Sequence, residues 1–152
     1  MKIAIASDHA GFNFKKDLLT ILKEDGHEVD DFGCDSMKSC DYPDFGIPAA
    51  KSVSEGKNDR AILICGNGIG MTMLANKIQG ILAALVYSES TATATREHHN
   101  SNVLCLGARE LKPNILNKLV NIWLNTSYEG GRHNARIKKI KELEKNNEKR
   151  RA

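Results

Sequence analysis

The sequence predicts an α/β fold in which a mainly parallel, five-stranded sheet lies between two layers of helices. Two observations carry that prediction. Short apolar runs alternate with amphipathic stretches along the whole chain, the pattern of strand–helix–strand units. The chain has 152 residues, which fits one domain with a core of its own. Right-handed crossovers between parallel strands then set helices on both faces of the sheet.

Taken in order, Lys2–Ala6 reads as a buried first strand. Phe12–Asp25 reads as a helix that Gly26 ends. Its Phe14, Leu18, Leu19, Ile21 and Leu22 fall near one face, with Lys15, Lys16, Lys23 and Glu24 opposite. Glu28–Phe32 is a short second strand. Residues 34–44 form a loop in which Pro43 breaks any helix, and Gly46–Glu55 is a helix with Pro48 in its first turn. Ala61–Cys65, apolar and partly β-branched, is the clearest strand. It runs into Gly66-Asn67-Gly68-Ile69-Gly70 and a helix over Met71–Ile78. Ile81–Tyr87 and Asn102–Leu106 are the last two strands, with the helix Ser90–His98 between them. Lys112–Asn125 is a helix with Pro113 in its first turn. After Gly130-Gly131 a polar helix reaches about Lys149, and residues from about 137 to 152 form a charged tail.

Composition narrows the function classes. Net charge is only +3, and much of the positive charge lies between Lys138 and Arg151. Such a run reads as a solvated helix face, so neither a nucleic-acid nor a membrane partner is expected. No window approaches the ~18–20 uninterrupted apolar residues of a membrane span. The polar Ser7-Asp8-His9 follows too soon after Met1 for a signal peptide, so a cytoplasmic protein is expected. Its four cysteines (Cys34, Cys40, Cys65 and Cys105) are then reduced. They show no CxxC pair and no zinc-ligand spacing, so no metal site is expected.

In open parallel sheets ligands bind beyond the carboxyl ends of the strands. That rule selects Asp8 and His9 after strand one, Cys65 and the glycine loop after strand three, and Gly107 and Arg109 after strand five. Gly66, Gly68 and Gly70 let the backbone turn sharply and leave its N–H groups uncovered. The loop is then an anion site, or no more than a tight strand-to-helix turn. Its GxGxG spacing matches neither the GxGxxG dinucleotide fingerprint nor a Walker loop. Cys65, where the strand meets this loop, is either a thiolate base or nucleophile, or a small buried hydrophobe. Cys34, Cys40 and Cys105 take the second reading. Arg132 and Arg136 stand four apart on one helix face, a phosphate clamp or a solvated basic surface. His98 reads as a surface residue and His133 as an ambiguous cap.

At this point the segments resemble those of one family. Ser7-Asp8-His9-Ala10-Gly11, Asp41-Tyr42-Pro43, Cys65-Gly66-Asn67-Gly68-Ile69-Gly70, Ala75-Asn76-Lys77, His99-Asn100-Ser101-Asn102-Val103-Leu104 and Tyr128-Glu129-Gly130-Gly131-Arg132-His133 follow the order and spacing of the type B ribose-5-phosphate isomerases. That group also contains allose-6-phosphate isomerase and the galactose-6-phosphate isomerase subunits. The resemblance covers Lys2 to about Leu143. It implies a Rossmann-like α/β/α sandwich, no cofactor, and a homodimer or tetramer with an active site shared between subunits. Cys65 matches the base that moves a proton between C2 and C1. His99 matches the residue that opens the furanose ring, supplied by the neighbouring subunit. Asp8 and Tyr42 match residues lining the sugar site, and Asn100 one that contacts substrate hydroxyls from the neighbour. His9, Arg109, Arg132 and Arg136 match the phosphate-binding set. The Gly66–Gly70 loop, with Ile69, matches the anion hole for the enediolate.

One residue departs from the pattern. Many relatives carry Ser or Thr where this chain has Asn67, and an amide is a poor proton relay although it can donate to the enediolate. The expected function is therefore isomerisation of D-ribose 5-phosphate to D-ribulose 5-phosphate. The nearest alternative is the same chemistry on allose 6-phosphate or another hexose 6-phosphate, because one extra carbon changes discrimination by only ~1–3 kcal/mol. A non-catalytic sugar-phosphate sensor is an alternative from another class, but it would dispense with Cys65 and His99. A nucleotide-binding module is disfavoured by the glycine spacing.

Overall fold

The computed structural model describes residues 1–152. Five strands, β1 (Lys2–Ser7), β2 (Glu28–Asp31), β3 (Arg60–Cys65), β4 (Ala83–Leu85) and β5 (Val103–Gly107), form one sheet in the order β2-β1-β3-β5-β4. Every pairing is parallel, so the sheet expected to be mainly parallel is wholly so. The helices are α1 (Phe12–Glu24), α2 (Tyr42–Ser54), α3 (Ile69–Ala75), α4 (Glu89–Glu97), α5 (Pro113–Asn125) and α6 (Arg132–Arg151).

Side chains alternate across a strand, so each strand feeds two cores. On one face Ile3, Ile5, Ile62, Ile64, Leu104 and Leu106 pack against α1, α4 and α5, with Trp123 of α5 fully buried. On the other, Ala4, Ala6, Ala61, Leu63, Cys65, Val103 and Cys105 pack against Ala49 and Ala50 of α2 and Met71 and Ala75 of α3. This is the three-layer α/β/α sandwich. The second face is rich in alanine, which brings α2 close to the sheet. A Cβ at Gly46 of α2 would press on Met71 and Leu74.

Several elements differ from expectation for physical reasons. Pro43 starts α2 instead of breaking it, since a first-turn residue has no backbone N–H bond to lose. Pro48 therefore lies inside the helix, and Tyr42 stands at its first residue. The helix after the glycine loop is short and starts at Ile69. Strand β4 shrinks to three residues because, at the sheet edge, it pairs only with β5. Lys15 does not face solvent: it is 2% exposed, and its Nζ donates to both Asp31 carboxylate oxygens at 2.6 and 2.8 Å. Of the three apolar residues expected to pack in α6 only Ile137 is buried; Ile140 and Leu143 are 49% and 62% exposed. Two carboxylates hold that helix instead, Glu144 accepting from Gly80 N–H at 2.9 Å and Glu148 from Gln79 at 3.1 Å.

The chain leaves β1 toward β2 on one side and returns to β3 on the other. The strand order thus reverses between β1 and β3, which opens a crevice at their carboxyl ends. No helix is long and apolar enough to cross a membrane.

Candidate active site

A cleft of about 340 Å³ opens at that crevice, lined by Asp8, Tyr42, Cys65, Gly66, Asn67, Gly70, Arg109 and Glu110. Three strand ends supply it. From β1, Asp8 is 7% exposed, and its Oδ1 accepts from Ala10 N–H at 2.9 Å and Gly11 N–H at 3.3 Å. These two bonds fix the turn into α1 and hold the carboxylate at the crevice. The next residue, His9, accepts the Cys40 N–H on Nδ1 at 3.2 Å. A neutral ring accepting there carries its proton on Nε2, leaving that nitrogen to donate.

Strand β3 supplies Cys65, 4% exposed at the strand end. Its Sγ accepts the Gly68 N–H at 3.2 Å. Gly68 has φ +78°, and a Cβ there would press on Leu85 and on the backbone of Leu106 and Gly107. At Gly70 a Cβ would collide with the Tyr42 ring, so glycine is what lets that ring lie over the loop. Asn67 is exposed, and its Oδ1 accepts Ile69 N–H at 3.0 Å. With its carbonyl oxygen committed, the amide offers the cleft its N–H₂ group and serves as a donor.

Strand β5 supplies Arg109. Its N–H donates to Gly66 O at 3.0 Å, and the preceding Ala108 N–H donates to Cys65 O at 2.9 Å. The arginine is thereby laid beside the glycine loop. Glu110 also lines the cleft; only its place directly after Arg109 could have marked it in the sequence.

The remaining expected residues form a second cluster, where α4 ends and α6 begins. His99, Arg132 and Arg136 are exposed there, and Asn100 is partly buried with φ +51°. None of the chain's ion pairs uses Arg109, Arg132 or Arg136, so all three guanidinium groups are free for an anion. His98 was expected at the surface and His133 was ambiguous, yet the two organise this cluster. His98 is half-buried and not a surface residue; its ring stacks on His133 at 4.5 Å between centroids and 15° between planes. His133 is 5% exposed, and its Nε2 lies 3.4 Å from Glu129 Oε2. Their contact joins residues 35 positions apart, which no local pattern marks.

The ligand atoms of His98, Glu129 and His133 lie within 4.8 Å of one another. A metal ion needs in-plane nitrogen lone pairs that converge. Stacked rings hold theirs side by side, so this trio is not shaped as a metal site.

Of the other thiols, burial pushes Cys105 up to about 12, and burial is also the main cause that raises Cys40. Cys34 is 2% exposed. Neither Cys34, Cys40 nor Cys105 lines the cleft; Cys65 is the thiol that does.

Comparison with known proteins gives the family. The family model described as Ribose/Galactose Isomerase matches residues 3–140. A putative sugar phosphate isomerase of Bacillus subtilis is 45% identical over 97% of this chain and 99% of its own length. The ribose-5-phosphate isomerase B of Clostridium thermocellum superposes with a TM-score of 0.94 at 44% identity, covering 96% of this chain and 99% of that one. That of Mycoplasma genitalium, solved with ribulose-5-phosphate bound, superposes with a TM-score of 0.92 at 45% identity over 95% and 96% of the two chains. A match of this extent, on a fold whose crevice carries the expected strand-end residues, is decisive: the chain belongs to the ribose/galactose isomerase family.

Proposed function

We propose that this chain is a cytoplasmic isomerase that interconverts D-ribose 5-phosphate and D-ribulose 5-phosphate through a cis-enediolate, with Cys65 as the base. The observation that carries the reading is the place of Cys65. It is the thiol in the cleft, at the strand end facing the switch point, with a backbone N–H on its sulfur. The relative with ribulose-5-phosphate bound supports the pentose.

The chemistry follows from the groups present. Ring opening needs the anomeric hydroxyl proton removed and the ring oxygen protonated, work suited to an imidazole. The Cys65 thiolate then takes the C2 proton, and the carbonyl electrons move onto O1. The thiol returns that proton to C1, while the O2 proton passes to O1 and leaves the ketone at C2. Asn67 N–H₂ and the loop N–H groups donate to the enediolate oxygens. One such preorganised donor is worth roughly 2.7–4 kcal/mol in a protease. Because Asn67 Oδ1 is occupied by Ile69, the hydroxyl proton moves between the oxygens directly or through water. Arg132 and Arg136 hold the phosphate with His9 and Arg109, far from the reacting carbons, so that binding energy positions C1 and C2.

The cleft and the α4–α6 cluster are separate on one chain. We therefore place the working site between two copies, one giving Cys65 and the other the histidine, Asn100 and the arginine pair. Exposed Ile69, Met73 and Tyr87, at 49%, 63% and 63%, lie beside the glycine loop or at the adjacent edge strand, where a second copy would cover them.

The resemblance gives ring opening to His99. One observation favours His98 instead: its ring is oriented by the stack on His133, whereas His99 is exposed with no hydrogen bond of its own. The test compares turnover of ribose 5-phosphate and allose 6-phosphate by wild type, Cys65→Ala, His98→Ala and His99→Ala. Fast pentose turnover is expected in wild type, lost by orders of magnitude in Cys65→Ala. The histidine whose removal slows ribose 5-phosphate is the ring-opening group. Preferred allose turnover would change the substrate, and turnover of neither would favour a sensor.

A further inference from the structure

Arg96 of α4 is 6% exposed and has no carboxylate partner. Burying a guanidinium against neutral acceptors alone is unfavourable, and burial accordingly lowers its proton affinity. A second cation, Arg60, lies close enough to feel its charge and stands over the Trp123 ring at 5.1 Å. Such an arrangement opposes stability, so what the guanidinium holds becomes the question.

It holds two separate segments. Its Nη1 donates to Asn100 Oδ1 at 3.1 Å and to the Ser101 carbonyl. Its Nε donates to the Thr126 carbonyl at 3.3 Å. The first segment directly follows His98 and His99, and its Asn100 turns the chain in the left-handed conformation that asparagine tolerates better than most residues. Ser101 is anchored in turn, its Oγ accepting the Trp123 indole N–H at 2.8 Å. The second segment runs from Thr126 through Glu129 into Arg132 and Arg136. A further bond, Glu129 N–H to Glu97 O at 3.1 Å, ties the two together beside the arginine.

We propose that Arg96 is a positioning residue: it sets the histidine segment 98–100 against the arginine-bearing start of α6, so that ring opening and phosphate binding act on one sugar. This rests on the function proposed above. The planar fork of arginine is what reaches both segments at once; a lysine ammonium, a point charge on a flexible stem, would satisfy one of them.

The test uses the full chain as Arg96→Lys and as Arg96→Met, with the folded fraction measured by circular dichroism. Turnover is followed from both sugars. Ribose 5-phosphate is mostly cyclic, whereas ribulose 5-phosphate, its O5 phosphorylated, reacts as an open chain and needs no ring opening. Arg96→Lys is expected to fold, to lose roughly 10–100-fold in kcat from ribose 5-phosphate, the scale of a small misplacement, and less from ribulose 5-phosphate. KM should rise for both sugars. Wild-type kinetics per folded molecule, an equal loss of kcat in both directions, or failure of both variants to fold would each overturn the positioning role. Wild-type protein inactive on both sugars would instead remove the function itself, a distinguishable result.

Discussion

Cys65 and Cys105 lie on adjacent strands of the same sheet face, yet only one is placed to do chemistry. Cys105 is the middle residue of β5, two positions before its end and fully covered, and burial pushes it to about 12. Cys65 is the last residue of β3, and its sulfur meets the cleft and a backbone donor. Position along the strand, not residue type, separates the proposed base from filler. The buried thiol also has a consequence for stability. Cys105 stays protonated in the folded state, whereas the unfolded thiol, near its ordinary 9.0, ionises above that pH. Its folded value is raised, so its contribution is intact below pH 9 and is lost as pH rises from 9 toward 12. Urea melts from pH 8 to 10.5 are expected to show stability falling more steeply in wild type than in Cys105→Ala. The difference is at most about 1.4 kcal/mol per pH unit; parallel curves would show that the thiol does not titrate this way.

At the scale of elements, the legible parts of the site are those set by strand ends. Asp8, Cys65 and Arg109 were readable because apolar runs stop just before them, and the sheet rule does the rest. Tyr42 was readable only as a motif residue, because Pro43 looked like a helix breaker and instead opens α2. The meeting of α4 with α6 was not readable. His98, Glu129 and His133 are brought together by tertiary packing alone, and nothing in the local pattern of α4 marks Arg96 as buried. Lys15 escaped for the same reason: helical periodicity placed it outside, and only the partner Asp31 brings it in. The spacing of Arg132 and Arg136 did survive, because i,i+4 geometry is local. Both are exposed and free of ion pairs, which gives Arg132→Ala a definite signature. Its KM for ribose 5-phosphate is expected to rise at least tenfold, about 1.4 kcal/mol, with kcat less affected. Steady-state kinetics with an unchanged KM would place the phosphate elsewhere.

At the scale of the molecule, the cleft lining includes none of His99, Asn100, Arg132 and Arg136. The sheet order puts Asp8, Cys65 and Arg109 together at the switch point, while the chain's end returns its arginines to the far end of α4. A symmetric pair of copies is the simplest assembly that joins one half-site to the other, twice over. The apolar residues left uncovered beside the glycine loop fit the same arrangement. The fold class itself was fully legible, because alternating strands and helices leave few topologies for a parallel sheet. The proposed sharing of the site came only from the resemblance, since one chain's sequence records no contact with a copy.

The central claim is that Cys65 and the ring-opening histidine act in one site across two copies of the chain. Mixing tests it most directly. Cys65→Ala and a His98→Ala/His99→Ala double variant, each inactive alone on ribose 5-phosphate, are combined in equal amounts and allowed to exchange subunits. Random pairing makes half the dimers mixed, and each mixed dimer holds one intact site of two, so about a quarter of wild-type activity should return. If activity stays at the sum of the two parents after exchange is verified, the site lies within one chain and the account is wrong.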